Sequence, residues 1–142
     1  MPMPMPDSKT VLFICNHNAG LSQLGAHLLA HVGDKTLVAR SAGLNPAETI
    51  NPAVAASLQE LWIDTSNAKP RAVTIQDLDT ADVVVLMKPG LPLPGPVRGE
   101  LVEWSFPDPS TWEPDGVREL RDAVDAKVRT LATRLAGSGT AD

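Results

Sequence analysis

The feature that most limits how this chain can fold is the segment Lys9–Cys15, K-T-V-L-F-I-C, in which Val11 to Cys15 are apolar without a break. A strand with one wet face alternates apolar and polar side chains. An unbroken run instead calls for burial on both faces, as in a parallel sheet covered by helices on each side. Asp82–Met87 (D-V-V-V-L-M) repeats the pattern, and Leu37–Ala42 is a further strand candidate. Helical spacing fills the intervals. Leu21, Leu24, Leu28 and Leu29 recur on one face, with Ser22, Gln23 and His27 on others. Asn51-Pro52 pairs an N-cap residue with proline at the first helical position, opening a helix that runs to about Leu61. Thr74–Asp79 reads as a short helix, and Asp115–Leu135 as a long one with Val117, Leu120, Val124, Val128, Leu131 and Leu135 as its apolar stripe. The Pro- and Gly-rich stretch Lys88–Gly99 is loop. Buried strands alternating with helices give an α/β fold with a parallel sheet and helices on both faces.

The 142 residues are enough for one domain with its own core. Residues 1–8, where proline alternates with methionine, read as a flexible N-terminal tail, residues 9–136 as the domain, and residues 137–142 as a C-terminal tail. A net charge of -5 disfavours nucleic acid as a partner. No apolar stretch approaches the roughly 20 residues that a membrane span needs. The Met-Pro start has neither the basic nor the apolar part of a secretory signal, so the expected compartment is the cytoplasm. The single cysteine excludes an internal disulfide and a cysteine-rich metal site. His27 and His31 stand four apart on a helix but lack a neighbouring carboxylate, so no metal site is expected.

In an open parallel sheet, ligands sit beyond the carboxyl ends of the strands, where the strand order reverses. Cys15 ends the first strand there, and the segment C-N-H-N-A-G-L-S (Cys15–Ser22) leads from it into a helix. The amides of Asn16, His17, Asn18, Ala19 and Gly20 can converge on one concavity at the positive end of that helix, a setting for a phosphate-like oxyanion. The same field favours the thiolate of Cys15 over its thiol. Ser22 can donate to that sulfur, Gly20 allows a tight backbone twist, and Asn18 tolerates a left-handed conformation and can brace the loop. The plainer reading is a small apolar residue closing a core strand. His17 reads either as a ligand or thiolate contact or as a solvent-facing residue. In Trp104–Pro109 (W-S-F-P-D-P), Asp108 reads either as a general acid or as an ordinary turn residue. Trp62 and Trp104 read as packing residues.

In family order, H-N-A-G-L-S-Q-L (His17–Leu24), R-S-A-G (Arg40–Gly43), I-N-P (Ile50–Pro52), L-W-I-D (Leu61–Asp64), A-D-V-V-V-L-M (Ala81–Met87) and F-P-D-P cover nearly all of residues 9–135. In these motifs the chain resembles the low-molecular-weight protein tyrosine phosphatases and the arsenate reductases that share their fold, most of all the arsenate reductases. The resemblance implies a four-stranded parallel sheet flanked by helices, with Cys15 as nucleophile, Asn18 and Ser22 as bracing residues and Asp108 as acid. It implies no bound cofactor, and arsenate, phosphate or another small oxyanion as ligand.

The sequence departs from the family pattern twice. The family's loop carries arginine at the position of Leu21. A bidentate guanidinium is a strong oxyanion donor, and losing a comparable transition-state donor costs roughly 2.7–4 kcal/mol. Lys88, just after the strand ending at Met87, is the best-placed substitute cation or else a solvated rim residue, with Arg71 and Arg98 as vaguer candidates. The second departure concerns electrons. Some arsenate reductases relay them through further cysteines of the same chain, and here Met87-Lys88-Pro89-Gly90 holds none. An external thiol of the mycothiol or glutathione type, or a glutaredoxin-type reductant, is then implied. Three functions remain open: a thiol-coupled arsenate reductase, favoured by the H-N-A-G and I-N-P patterns; a phosphatase working through a phosphocysteine; and a non-catalytic anion- or partner-binding relative, favoured by Leu21.

Overall fold

The computed structural model describes residues 8–33, 36–106 and 113–140. Four strands and four helices follow in the order β1 (Lys9–Cys15), α1 (Leu21–Val32), β2 (Leu37–Gly43), α2 (Pro52–Gln59), α3 (Ile75–Thr80), β3 (Val83–Leu86), β4 (Glu100–Glu103) and α4 (Pro114–Thr140). The strands form one sheet in the order β2-β1-β3-β4, every pairing parallel.

The unbroken apolar runs divide as a strand's period of two requires. Val11, Phe13 and Cys15 of β1, with Val83 and Val85 of β3, join a cluster with buried residues of α1, α2 and α4. Leu12, Ile14, Val84 and Leu86 join Leu78 of α3 on the opposite face, covered further by Leu91, Leu93 and Val97. The sheet is therefore the middle of three layers. All six stripe residues of α4 are buried, Val117, Val124 and Val128 completely. The order of strands reverses between β1 and β3, which puts Cys15 beside the switch point.

Asn51 caps α2 as its sequence suggests, Oδ1 accepting from the N–H of Ala53 at 2.9 Å and of Val54 at 3.4 Å. Thr74 and Asp77 form a reciprocal capping box at the start of α3. Arg121, almost fully buried, ties α4 to α2 by donating to the Ser57 carbonyl and to Glu60, each at 2.8 Å. Hydrogen bonds from Arg118, then Arg121, hold the Glu60 carboxyl down to about 2.

Four features differ from the sequence reading. β4 (E-L-V-E) is an exposed edge strand whose glutamates hide it from any apolar pattern. α2 ends at Gln59, ahead of Leu61. α4 continues past Leu135 to Thr140, through glycines that resemble a stop signal and into the segment read as a tail. Trp104 packs, its ring 6.1 Å from that of Phe13 and 6.0 Å from that of Phe106, but Trp62 is 94% exposed.

Trp62 has φ 64 because it occupies the left-handed position that ends α2. Its N–H donates to the Gln59 carbonyl at 2.9 Å, and the N–H of Ile63 to the Leu58 carbonyl at 3.1 Å. This is the Schellman closure, whose left-handed site is usually glycine. An exposed indole gains little burial to offset its strained backbone. Trp62→Gly is therefore expected to stabilise the fold by about 1 kcal/mol. Thermal unfolding measures this as a rise of a few degrees, and an unchanged or lower Tm would refute it.

Candidate active site

The Cys15–Ser22 loop gets its shape from the segment that follows β2. The carbonyl of Cys15 accepts from the N–H of Leu44 at 3.2 Å, that of Asn16 from Asn45 at 2.7 Å, that of His17 from Ala47 at 3.0 Å and that of Ala19 from Asn51 at 3.0 Å. Among the described residues every peptide is trans, so each N–H points opposite to the carbonyl of its own peptide unit. With four carbonyls drawn to one flank, the N–H groups of Asn16, His17, Asn18 and Gly20 face the other. The Asn18 N–H identifies that side, because it donates to Cys15 Sγ at 3.3 Å. α1 begins on the same side with neither a side-chain cap nor an acidic residue in its first turn, leaving its positive end available to an anion.

Cys15 is 6% exposed, and its Sγ lies 2.9 Å from Ser22 Oγ. Ser22 Oγ accepts from Asn18 Nδ2 at 2.8 Å, which leaves the serine proton free to point at the sulfur. Two donors, one backbone and one hydroxyl, thus face Sγ. Asn18 is the hub of the loop. It is fully buried with φ 51. Its Oδ1 accepts from the Arg71 N–H, and its carbonyl accepts from Gln23 Nε2, both at 2.9 Å.

The remaining sequence candidates are placed as follows. His17 is exposed and turned away from the sulfur, with Nδ1 3.1 Å from the Asn45 carbonyl and Nε2 3.4 Å from Asn16 Nδ2. A carbonyl only accepts, so Nδ1 carries the proton in this contact. Asn16 Oδ1 accepts from Asn45 Nδ2 at 2.9 Å. Ala19 and Gly20 are half-buried before α1. Leu21 is the first residue of α1 and packs against the main core cluster. Lys88 is exposed directly after buried Met87 at the carboxyl end of β3, with no carboxylate partner among the described residues. Arg71 and Arg98 are engaged by Asp77 at 2.9 Å and Asp79 at 3.1 Å. Burial opposes ionisation of Asp77, but the Arg71 guanidinium and the Thr74 amide outweigh it and keep the carboxyl below its usual range. Asp108 lies outside the described residues.

Sequence reasoning missed Gln23, Asn45 and the backbone of Arg71, and gave Gly43 no role of its own. Gly43 pairs with Cys15 across β1 and β2. A methyl group on it would stand 2.9 Å from the Asn16 carbonyl oxygen, Asn18 N and Asn18 Cβ. Backbone atoms cannot move aside as side chains do. Gly43→Ala is therefore expected to cost about 1–3 kcal/mol in stability and to weaken phosphate binding. Denaturant titration and calorimetry check both, and unchanged phosphate affinity would show that the loop does not rest on this glycine.

The family model of the low molecular weight phosphotyrosine protein phosphatases matches residues 10–91 of the chain. The chain belongs to this family. An arsenate reductase of Bacillus cereus is 30% identical over 132 residues, covering 90% of this chain and 97% of that protein. A thioredoxin-dependent arsenate reductase of Corynebacterium glutamicum superimposes with a TM-score of 0.81 at 30% identity, over 92% of this chain. This chain spans 63% of that longer one. An arsenate reductase solved in its phosphate binding state gives a TM-score of 0.79 at 25% identity, covering 89% of this chain and 98% of that one. Among the described residues no helix is long and apolar enough to cross a membrane.

Proposed function

We propose that the chain is a single-cysteine arsenate reductase that takes its electrons from an external thiol. The observation that carries this reading is the pair of donors on Cys15 Sγ, Asn18 N–H and Ser22 Oγ, beside a loop whose amides face the same way. Donors so arranged suit a tetrahedral anion set against the sulfur. The arsenate reductase in its phosphate binding state supports a small oxyanion as the ligand.

In this reading the Cys15 thiolate attacks arsenic and forms an S–As bond. One arsenate oxygen departs as water, protonated by Asp108, the acid implied by family resemblance. An external thiol then attacks the arsenic, releasing the Cys15 thiolate and taking over the arsenate group. A second thiol attacks the sulfur of that adduct. The S–As bond breaks with its electron pair left on arsenic, giving arsenite and a disulfide. Two electrons pass from two external thiols to As(V), and Cys15 returns unchanged. With one cysteine in the chain, no internal disulfide relay is available.

Leu21 favours a second reading, a relative that holds an oxyanion without turning it over. Arsenite formation from arsenate, with glutathione or mycothiol and a glutaredoxin-type reductant, separates the two. The proposal expects turnover in the native protein and none in Cys15→Ser. Anion binding without turnover supports the second reading. Hydrolysis of p-nitrophenyl phosphate without arsenite formation would assign the chain to the phosphatases instead.

A further inference from the structure

Behind the catalytic loop, between α1, β2 and the segment that follows α2, lies a cavity of about 360 Å³. Its lining includes Gln23, His27, Arg40, Ser41, Lys69 and Arg71. Three permanent cations around one hollow stand out in a chain whose net charge is -5. Every other described arginine is held by a carboxylate, as Arg71 itself is by Asp77. Arg40 and Lys69 are exposed, and neither has a carboxylate partner among the described residues. Arg71 uses Nη1 and Nη2 on Asp77, which leaves its Nε–H to donate elsewhere. Of the nearest polar companions, Ser41 adds a hydroxyl donor, whereas His27 spends its Nδ1 proton on the Gln23 carbonyl at 2.9 Å, so Nε2 of the neutral ring is an acceptor and is not counted among the anion's donors.

We propose that this cavity is a second anion site, separate from the Cys15 loop, that takes a small polyvalent anion bearing carboxylate or phosphate groups. Arg40 and Lys69 supply the uncompensated charge and Arg71 a fixed donor, while the volume exceeds what a single tetrahedral ion fills. The site abuts the catalytic loop through two residues. Gln23 donates to the Asn18 carbonyl, and the Arg71 N–H donates to Asn18 Oδ1. An anion bound here therefore rests against the two side supports of Asn18. The inference does not depend on the reaction assigned to Cys15.

Titration of ¹⁵N-labelled protein with pyrophosphate and, separately, with citrate at constant ionic strength tests the site. Backbone amides of residues 39–41 and of Ala68, Lys69 and Arg71 are expected to shift saturably with at least one of them. Saturation by pyrophosphate alone assigns phosphate chemistry, by citrate alone carboxylate chemistry, and by both a site read through charge. In the double variant Arg40→Ala, Lys69→Ala the apparent Kd should rise by about tenfold or more, from the loss of charge-assisted hydrogen bonds. The rest of the spectrum reports that the variant is folded, and Lys69→Gln gives a second, milder check with a smaller loss in the same direction. Shifts confined to residues 15–22, or a Kd indifferent to both variants, would overturn the site.

Discussion

Leu21→Arg is expected to raise the rate at Cys15 by about 100- to 1,000-fold, the inverse of removing a transition-state donor worth roughly 2.7–4 kcal/mol. Leu21 is the first residue of α1 and half-buried, so a longer side chain there starts at the mouth of the amide cradle. An arginine can lay its methylenes where leucine now packs and carry its guanidinium to the oxyanion. The variant leaves in place two donors on the sulfur, the inward-facing amides and the uncapped helix end. The measurements are p-nitrophenyl phosphate hydrolysis and thiol-dependent arsenate reduction, native protein against variant, with Tm to confirm folding. A folded Leu21→Arg that gains neither rate nor phosphate affinity would mean that the cradle does not present an oxyanion to α1.

Asn18→Ala is expected to have the largest effect on the loop itself. The side chain makes two bonds, a buried one to Ser22 Oγ and a half-buried one from the Arg71 N–H. Alanine breaks both and orphans a partner at each end. It also places a residue with no local polar contact at φ 51, which asparagine tolerates better. Together these effects sum to about 3–5 kcal/mol, a large share of a domain's usual stability of roughly 5–15 kcal/mol. Asn18→Gly separates the two contributions, because it keeps the left-handed backbone and loses only the side-chain bonds. Denaturant unfolding should rank native above Asn18→Gly and Asn18→Gly above Asn18→Ala. If all three unfold together, the Asn18 network contributes nothing to the loop.

The fold was legible where burial is local and strong. Val11 to Cys15 and Val83 to Leu86 have no polar residue to mark a wet face, and the α4 stripe repeats over several turns. Asn51-Pro52 announces α2 because capping depends on adjacent residues. Chain order also put Cys15 at the end of the central strand with Ser22 on the helix after it. What escaped depends on distant neighbours. Gln23 looks like a surface residue of α1, yet it is 2% exposed because the Asn18 carbonyl stands over it. Gly43 matters only because Asn16 and Asn18 cross above it. Asn45 matters because β2 delivers it to Asn16 and His17. β4 contributes hydrogen bonds at a sheet edge and only Val102 to the core, too little for a pattern of side chains to register.

The most direct test of the account uses the fact that Cys15 is the chain's single cysteine, so any alkylation reports on that sulfur. Iodoacetamide should modify Cys15 in the folded protein, and arsenate or phosphate should slow the reaction saturably while chloride at equal ionic strength does not. Modification that waits for unfolding, or proceeds at one rate whether or not a tetrahedral oxyanion is present, would contradict the claim that this thiol lines an anion cradle.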